Sequence, residues 1–160
     1  MEDLQSKLTA TSSNAMTASE IDDFLRGRRN ACLGTIRSDG FPQVTPVWYW
    51  PEDGNIYFSL GESRRHLRNL RACPLATILV DEDLRLSQGW QAAARGVMFC
   101  GPTEIIDDLE TLDAYEEKMA NHYLGDEAND PEFAAAVDSE RRYLIILRPD
   151  KTLSWDYSKA

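Results

Sequence analysis

ACLGTIRSDGFPQVTPVWYWPEDGNIYFSL, residues 31–60, contains three β-type runs separated by turn chemistry. Ala31 to Ile36 and Gln43 to Trp50 flank Ser38-Asp39-Gly40, and Pro51-Glu52-Asp53-Gly54 divides the second run from Ile56 to Leu60. Asp-Gly pairs favour tight reversals, because glycine accepts the positive φ that such turns need. Reversals this short leave no room for the crossover that parallel neighbours require. The stretch therefore reads as an antiparallel meander.

Working outward, Ser63 to Arg71 takes helical spacing, with Leu67 and Leu70 inward, and Pro74 closes it before a fourth strand, Leu75 to Val80. Asp81 to Ala94 reads as a loop. A fifth strand follows from Arg95 to Ile106, with Gly101-Pro102 marking a bulge or bend. Asp107 to Leu124 is the clearest helix, acidic at its start, with Leu109, Leu112, Tyr115, Met119 and Tyr123 as its apolar stripe. Pro131 to Glu140 is a short helix before the sixth strand, Tyr143 to Leu147. Upstream, Thr17 or Ser19 caps a short helix carrying Ile21, Phe24 and Leu25. The pattern predicts a mainly β (α+β) fold: a six-stranded antiparallel barrel with flanking helices, closed or partly closed because closure removes exposed strand edges. A parallel dinucleotide-binding sheet fits less well, since no glycine-rich phosphate loop follows the first strand.

A chain of 160 residues suits one domain, here 17–160 after a polar N-terminal segment, 1–16, expected to be flexible. Ser13-Asn14-Ala15 before Met16 reads equally as a cloning remnant or as native sequence. The net charge of −10 argues against nucleic acid or an anionic membrane as partner, and neither an apolar spanning run nor a secretory leader is evident. A cytoplasmic location is the expectation. Cys32, Cys73 and Cys100 are odd in number and widely spaced, which suggests buried thiols and neither disulfides nor a zinc site.

Against this acidic background, Arg64, Arg65, Arg68 and Arg71 crowd into eight positions directly after a strand. With Ser63 at a helix-cap position, backbone N–H groups, the helix dipole and guanidinium groups can converge on one anion, and a phosphate suits such a site. An ordinary solvated helix face, its arginines paired with nearby acids, accounts for the spacing equally well. His66 has no second metal ligand at helical spacing, and no metal role is assigned to it.

The chain resembles the split-barrel proteins related to pyridoxamine 5'-phosphate oxidase, especially their flavin/deazaflavin oxidoreductase relatives. The resemblance rests on Asp39-Gly40-Phe41-Pro42, Val44-Thr45-Pro46-Val47-Trp48-Tyr49, Ile56-Tyr57-Phe58-Ser59, Arg68-Asn69-Leu70 with Pro74, Arg95-Gly96-Val97-Met98 and Ser154-Trp155-Asp156. It implies a homodimer with a cofactor in a groove between subunits. Carried over, Thr45, Pro46, Val47 and Trp48 line the cofactor ring, Phe58 and Ser59 lie beside the ribityl chain, and Arg64 and Arg65 hold the phosphate. Asn69 braces the loop, and Trp155 belongs to the matched C-terminal motif. One departure concerns His66, which falls where deazaflavin relatives carry lysine, whereas alignment to the oxidase itself sets Arg65 at the lysine position. The oxidase's basic grip on its B6 substrate has no counterpart in the C-terminal third.

These readings lead to an expected FMN-dependent oxidoreductase that passes hydride or electrons to a small organic molecule, with F420 as the alternative cofactor. No Ser-His-Asp triad or carboxylate pair is recognisable, and no catalytic residue is assigned; the cofactor carries the chemistry. A non-catalytic flavin- or haem-binding protein is the rival reading.

Overall fold

The computed structural model describes residues 13–90, 92–137 and 139–159. Helix α1 (Ala18–Leu25) opens on a capping box: Thr17 Oγ1 accepts from Glu20 N, and the Glu20 carboxylate accepts from Thr17 N. The meander follows as β1 (Ala31–Ile36), β2 (Pro42–Val47), β3 (Trp50–Glu52) and β4 (Asn55–Gly61). Then come α2 (Arg65–Ala72), β5 (Leu75–Asp83), the short α3 (Arg85–Gln88) and the long β6 (Ala94–Ile106). The chain continues through α4 (Leu109–Leu124), a 3-10 turn (Gly125–Asn129), α5 (Pro131–Val137), β7 (Arg142–Leu147) and β8 (Lys151–Asp156).

All pairings are antiparallel, and β6 is the hinge of the architecture. Its first part pairs with β5 on one edge and β8 on the other, while Thr103 to Ile106 pair with β7, which leads on to β4 and β3. Two sheets, β2-β1-β5-β6-β8 and β6-β7-β4-β3, thus share one long strand. The change of partners falls at Gly101-Pro102. A side chain at position 101 would run into the Arg148 carbonyl, and Arg148 N and Asp150 N donate to Pro102 O and Cys100 O there. Leu33, Ile78, Val97 and Phe99 of the first sheet meet Ile56, Phe58, Ile145 and Leu147 of the second, with Leu67 and Leu70 of α2 and Phe24 of α1 closing the core.

The mainly antiparallel α+β class holds, with eight strands in place of six. The run Gln43 to Trp50 breaks at Trp48-Tyr49 into β2 and β3, because the Tyr49 ring turns into the core and its hydroxyl donates to Leu25 O at 3.0 Å. Strand β8 carries no apolar alternation; its buried positions are Thr152 and Ser154. The segment after Val80 extends β5 to Asp83 and adds α3. Leu109 opens α4 beside its N-cap, Asp108, and is exposed, unlike Leu112 and Met119. Of the N-terminal segment read as flexible, residues 1–12 lie outside the described residues. Asn14 O accepts from Asp156 N, and Met16 N donates to Ser154 Oγ.

Candidate functional site

The end of β2, the end of β4 and the turn after it, the start of β7, and the α4–α5 segment enclose a cleft of about 670 Å³. That volume lies within the range of small-molecule sites. One wall is the Thr45-Pro46-Val47-Trp48 edge. Trp48 stacks on Tyr123 of α4 with ring centroids 4.9 Å apart and meets Phe133 of α5 at 6.1 Å. The Tyr123 hydroxyl donates to Arg29 O at 2.7 Å, which holds the stack in place.

Ser59, Leu60 and Gly61 also line the cleft. Antiparallel register sets Gly61 against Arg142 and Ser59 against Leu144. The Arg142 guanidinium donates to Ser59 Oγ at 2.7 Å and to Glu116 Oε1 of α4 at 2.5 Å. His66, on the first turn of α2, is 8% exposed and lines the same cleft. Burial, followed by the nearby Arg64 guanidinium, holds its imidazole below the usual histidine range, which favours the neutral ring.

The α2 N-terminus differs from the sequence expectation. Its cap is Arg64, not Ser63, and no side chain caps it. A backbone turn, Arg64 N to Gly61 O at 3.1 Å, delays the helix start, and Ser63 N donates at 2.8 Å to Glu140 Oε2 instead. The second oxygen of that carboxylate lies 3.5 Å from Arg64 Nε. The carboxylate also fills the space that a Cβ at Gly61 would need. Ser63 and Arg64 together hold the Glu140 carboxyl below its ordinary range, the hydrogen bond from Ser63 being the larger cause.

Of the residues singled out from sequence, Thr45, Pro46, Val47, Trp48, Ser59, Arg64 and His66 line the cleft. Phe58 is wholly buried in the core. Arg65 is exposed and is not among the lining residues. Asn69 donates to Thr35 Oγ1 at 3.0 Å and Gln43 Oε1 at 3.2 Å, tying α2 to β1 and β2. Trp155 covers Gly96 on the β6–β8 ladder. Arg71 is engaged bidentately by Glu62. Arg142, Glu116 and Phe133 carried no sequence signal. The Arg141-Arg142 pair ahead of an apolar strand looks like an ordinary strand boundary, and only strand register turns Arg142 into the cleft.

The described residues contain no group of three or more His, Cys, Asp or Glu placed to hold a metal, and no helix long and apolar enough to cross a membrane. On its outer face the first sheet is apolar: Ile36, Val44, Leu75 and Leu153 are exposed there, Val44 at 67%, beside half-buried Cys32, Leu79 and Met98.

The family model described as pyridoxamine 5'-phosphate oxidase matches residues 17–156. Among solved structures, a conserved hypothetical protein, Rv2991 from Mycobacterium tuberculosis, is 28% identical, with 94% of this chain and 91% of that one covered and a TM-score of 0.78. HutZ, the heme storage protein from Vibrio cholerae, shares the fold at 20% identity, with 84% and 90% covered and a TM-score of 0.65. An F420 reductase shares it at 23% identity, with 82% and 94% covered and a TM-score of 0.63.

Proposed function

The chain belongs to the pyridoxamine 5'-phosphate oxidase family, and on that premise we propose that it is an FMN-dependent oxidoreductase acting on a small organic molecule as a homodimer. What carries the reading is the convergence of Thr45 to Trp48, Ser59, Arg64, His66 and Arg142, from separate stretches of chain, on one cleft. The fit to a phosphate-bearing cofactor is supported by the Glu140 carboxylate, an anion of the chain's own that accepts from Ser63 N beside Arg64. When bound, the flavin supplies the hydride or electron transfer.

The chain's own residues bind, orient and exclude water. Arg64, with Ser63 N beside it, and Arg142 hold the phosphate end, the guanidinium groups through charge-assisted hydrogen bonds, and Ser59 lies beside the ribityl chain. Thr45 to Trp48 fix the ring by backbone contact. Phe133 and the Trp48–Tyr123 stack keep water from the apolar end. Neutral His66 serves as a hydrogen-bonding group and not as a cation. The apolar outer face of the first sheet supports the homodimer, since contiguous exposed apolar surface marks association sites.

F420 is the alternative cofactor. Binding of a flavin or haem without turnover is the alternative role, favoured by one observation: Glu116 and Glu117 on the cleft wall and uncharged His66 make the site less cationic than its arginines suggest. Titrating purified protein with FMN and with F420, followed by fluorescence and thermal shift, tests the proposal. Saturable binding of either, with a raised melting temperature, is expected; no response to both overturns it. Reduction of the bound cofactor by a nicotinamide donor and reoxidation by an added acceptor separates turnover from storage.

A further inference from the structure

Glu140 stands between α5 and β7, two residues before Arg142, and reaches back across the turn that leads into α2. Three features hold it there. Ser63 N donates to Oε2 at 2.8 Å, Arg64 Nε stands 3.5 Å from Oε1, and Gly61 leaves the open space that the carboxylate fills. A backbone N–H, a guanidinium and a glycine hollow at the mouth of a helix are the components from which phosphate seats are made. The carboxylate is only 22% exposed and fixed by a charge-assisted hydrogen bond, whereas its ion-pair partner, Arg64, is 61% exposed and long in its contact. The attachment is thus specific in place and modest in strength, as a displaceable group needs to be.

We propose that Glu140 is a resident anion in the phosphate seat, which a phosphate-bearing ligand must displace before it binds, so that this residue sets both the affinity and the phosphate selectivity of the cleft. The inference rests on the cofactor reading above. A ligand with a phosphate gains Ser63 N and Arg64 only by releasing Glu140 to solvent. A ligand lacking the phosphate leaves Glu140 in place and is indifferent to it.

The test is a fluorescence titration of FMN and riboflavin against wild type, Glu140→Gln and Glu140→Asp, each variant first checked for an unchanged melting profile. Gln keeps a neutral acceptor at the turn and so preserves its shape; Asp keeps the charge but retracts it by one methylene. The expectation for Glu140→Gln is FMN binding about ten-fold tighter than wild type, ~1.4 kcal/mol, with riboflavin unchanged. Glu140→Asp should also bind FMN more tightly than wild type. Equal FMN affinity in wild type and Glu140→Gln overturns the inference while leaving the cofactor reading intact, as does weaker binding by that variant. So does a Glu140→Asp variant that matches wild type, which would reduce the effect to general charge repulsion, or riboflavin tightening as much as FMN. Failure of both FMN and F420 to bind wild type and Glu140→Gln overturns the cofactor reading and this inference together.

Discussion

Arg142→Ala removes a guanidinium that bridges β4, β7 and α4 inside the cleft. In the wild type its group contacts Glu116 Oε1 at 2.5 Å and Ser59 Oγ at 2.7 Å, with the Arg142 and Glu116 side chains 24% and 18% exposed. Breaking a fully buried pair costs ~3–5 kcal/mol, and an exposed pair contributes at most about 1 kcal/mol. This pair lies between those limits, so a loss of about 2 kcal/mol is expected, most of it from the stranded Glu116 carboxylate. For a chain of this size that is roughly 4–8 °C in melting temperature. Thermal denaturation at neutral pH measures it. Adding Glu116→Gln to Arg142→Ala should recover most of the loss, because the uncompensated charge is gone. Arg142→Lys should recover little, since a point charge cannot span both partners. FMN affinity should fall about ten-fold in Arg142→Ala and stay low in the double variant, which separates anchoring from stability. An unchanged melting temperature in Arg142→Ala would refute the claim that this bridge ties the cleft together. Rescue of FMN binding by Glu116→Gln would refute its anchoring role.

Arg64→Ala should weaken FMN about ten-fold and Arg65→Ala less than about two-fold, because only the first lines the cleft; equal losses in an isothermal titration would contradict the assignment. Val44→Asp with Leu75→Asp should shift a dimeric wild type to monomer in light scattering without unfolding it, since both side chains are exposed in the single chain. A wild type that is monomeric at all concentrations counts against the dimer. Glu20 is held at about 2 by the Lys159 hydrogen bond and then by Thr17 N, against an ordinary value of 4.5. A depressed carboxylate contributes stability above its unfolded value, and that contribution is lost as pH falls from 4.5 to about 2. Lys159→Met should raise the Glu20 carboxyl titration seen by NMR, and an unmoved titration would show that the contact is absent in solution.

The meander was readable because its signals are local. Asp39-Gly40 and Asp53-Gly54 fall at real reversals, with Gly40, Asp53 and Gly54 all at positive φ. The alternation of Ala31, Leu33 and Thr35 against Cys32, Gly34 and Ile36 separates the inner face of β1 from its outer one. Gly101-Pro102, read as a bulge or bend, falls where β6 changes partners. By contrast, β8 went unread because its inward residues, Thr152 and Ser154, are polar. The break at Trp48-Tyr49 escaped as well, since aromatic residues suit a strand in either sheet.

From residue order alone came the antiparallel α+β class, the location of the turns and the arginine cluster after β4, all properties of neighbours along the chain. Which charges face one another was decided in three dimensions. Ser63 meets Glu140 across 77 positions, and Ser59 meets Arg142 across 83. These meetings depend on the register of β4 against β7 and on where α4 packs. A shift of one residue in that pairing would turn alternate side chains to the opposite face of the sheet, and no local preference of Arg142 or Glu140 records which face they occupy.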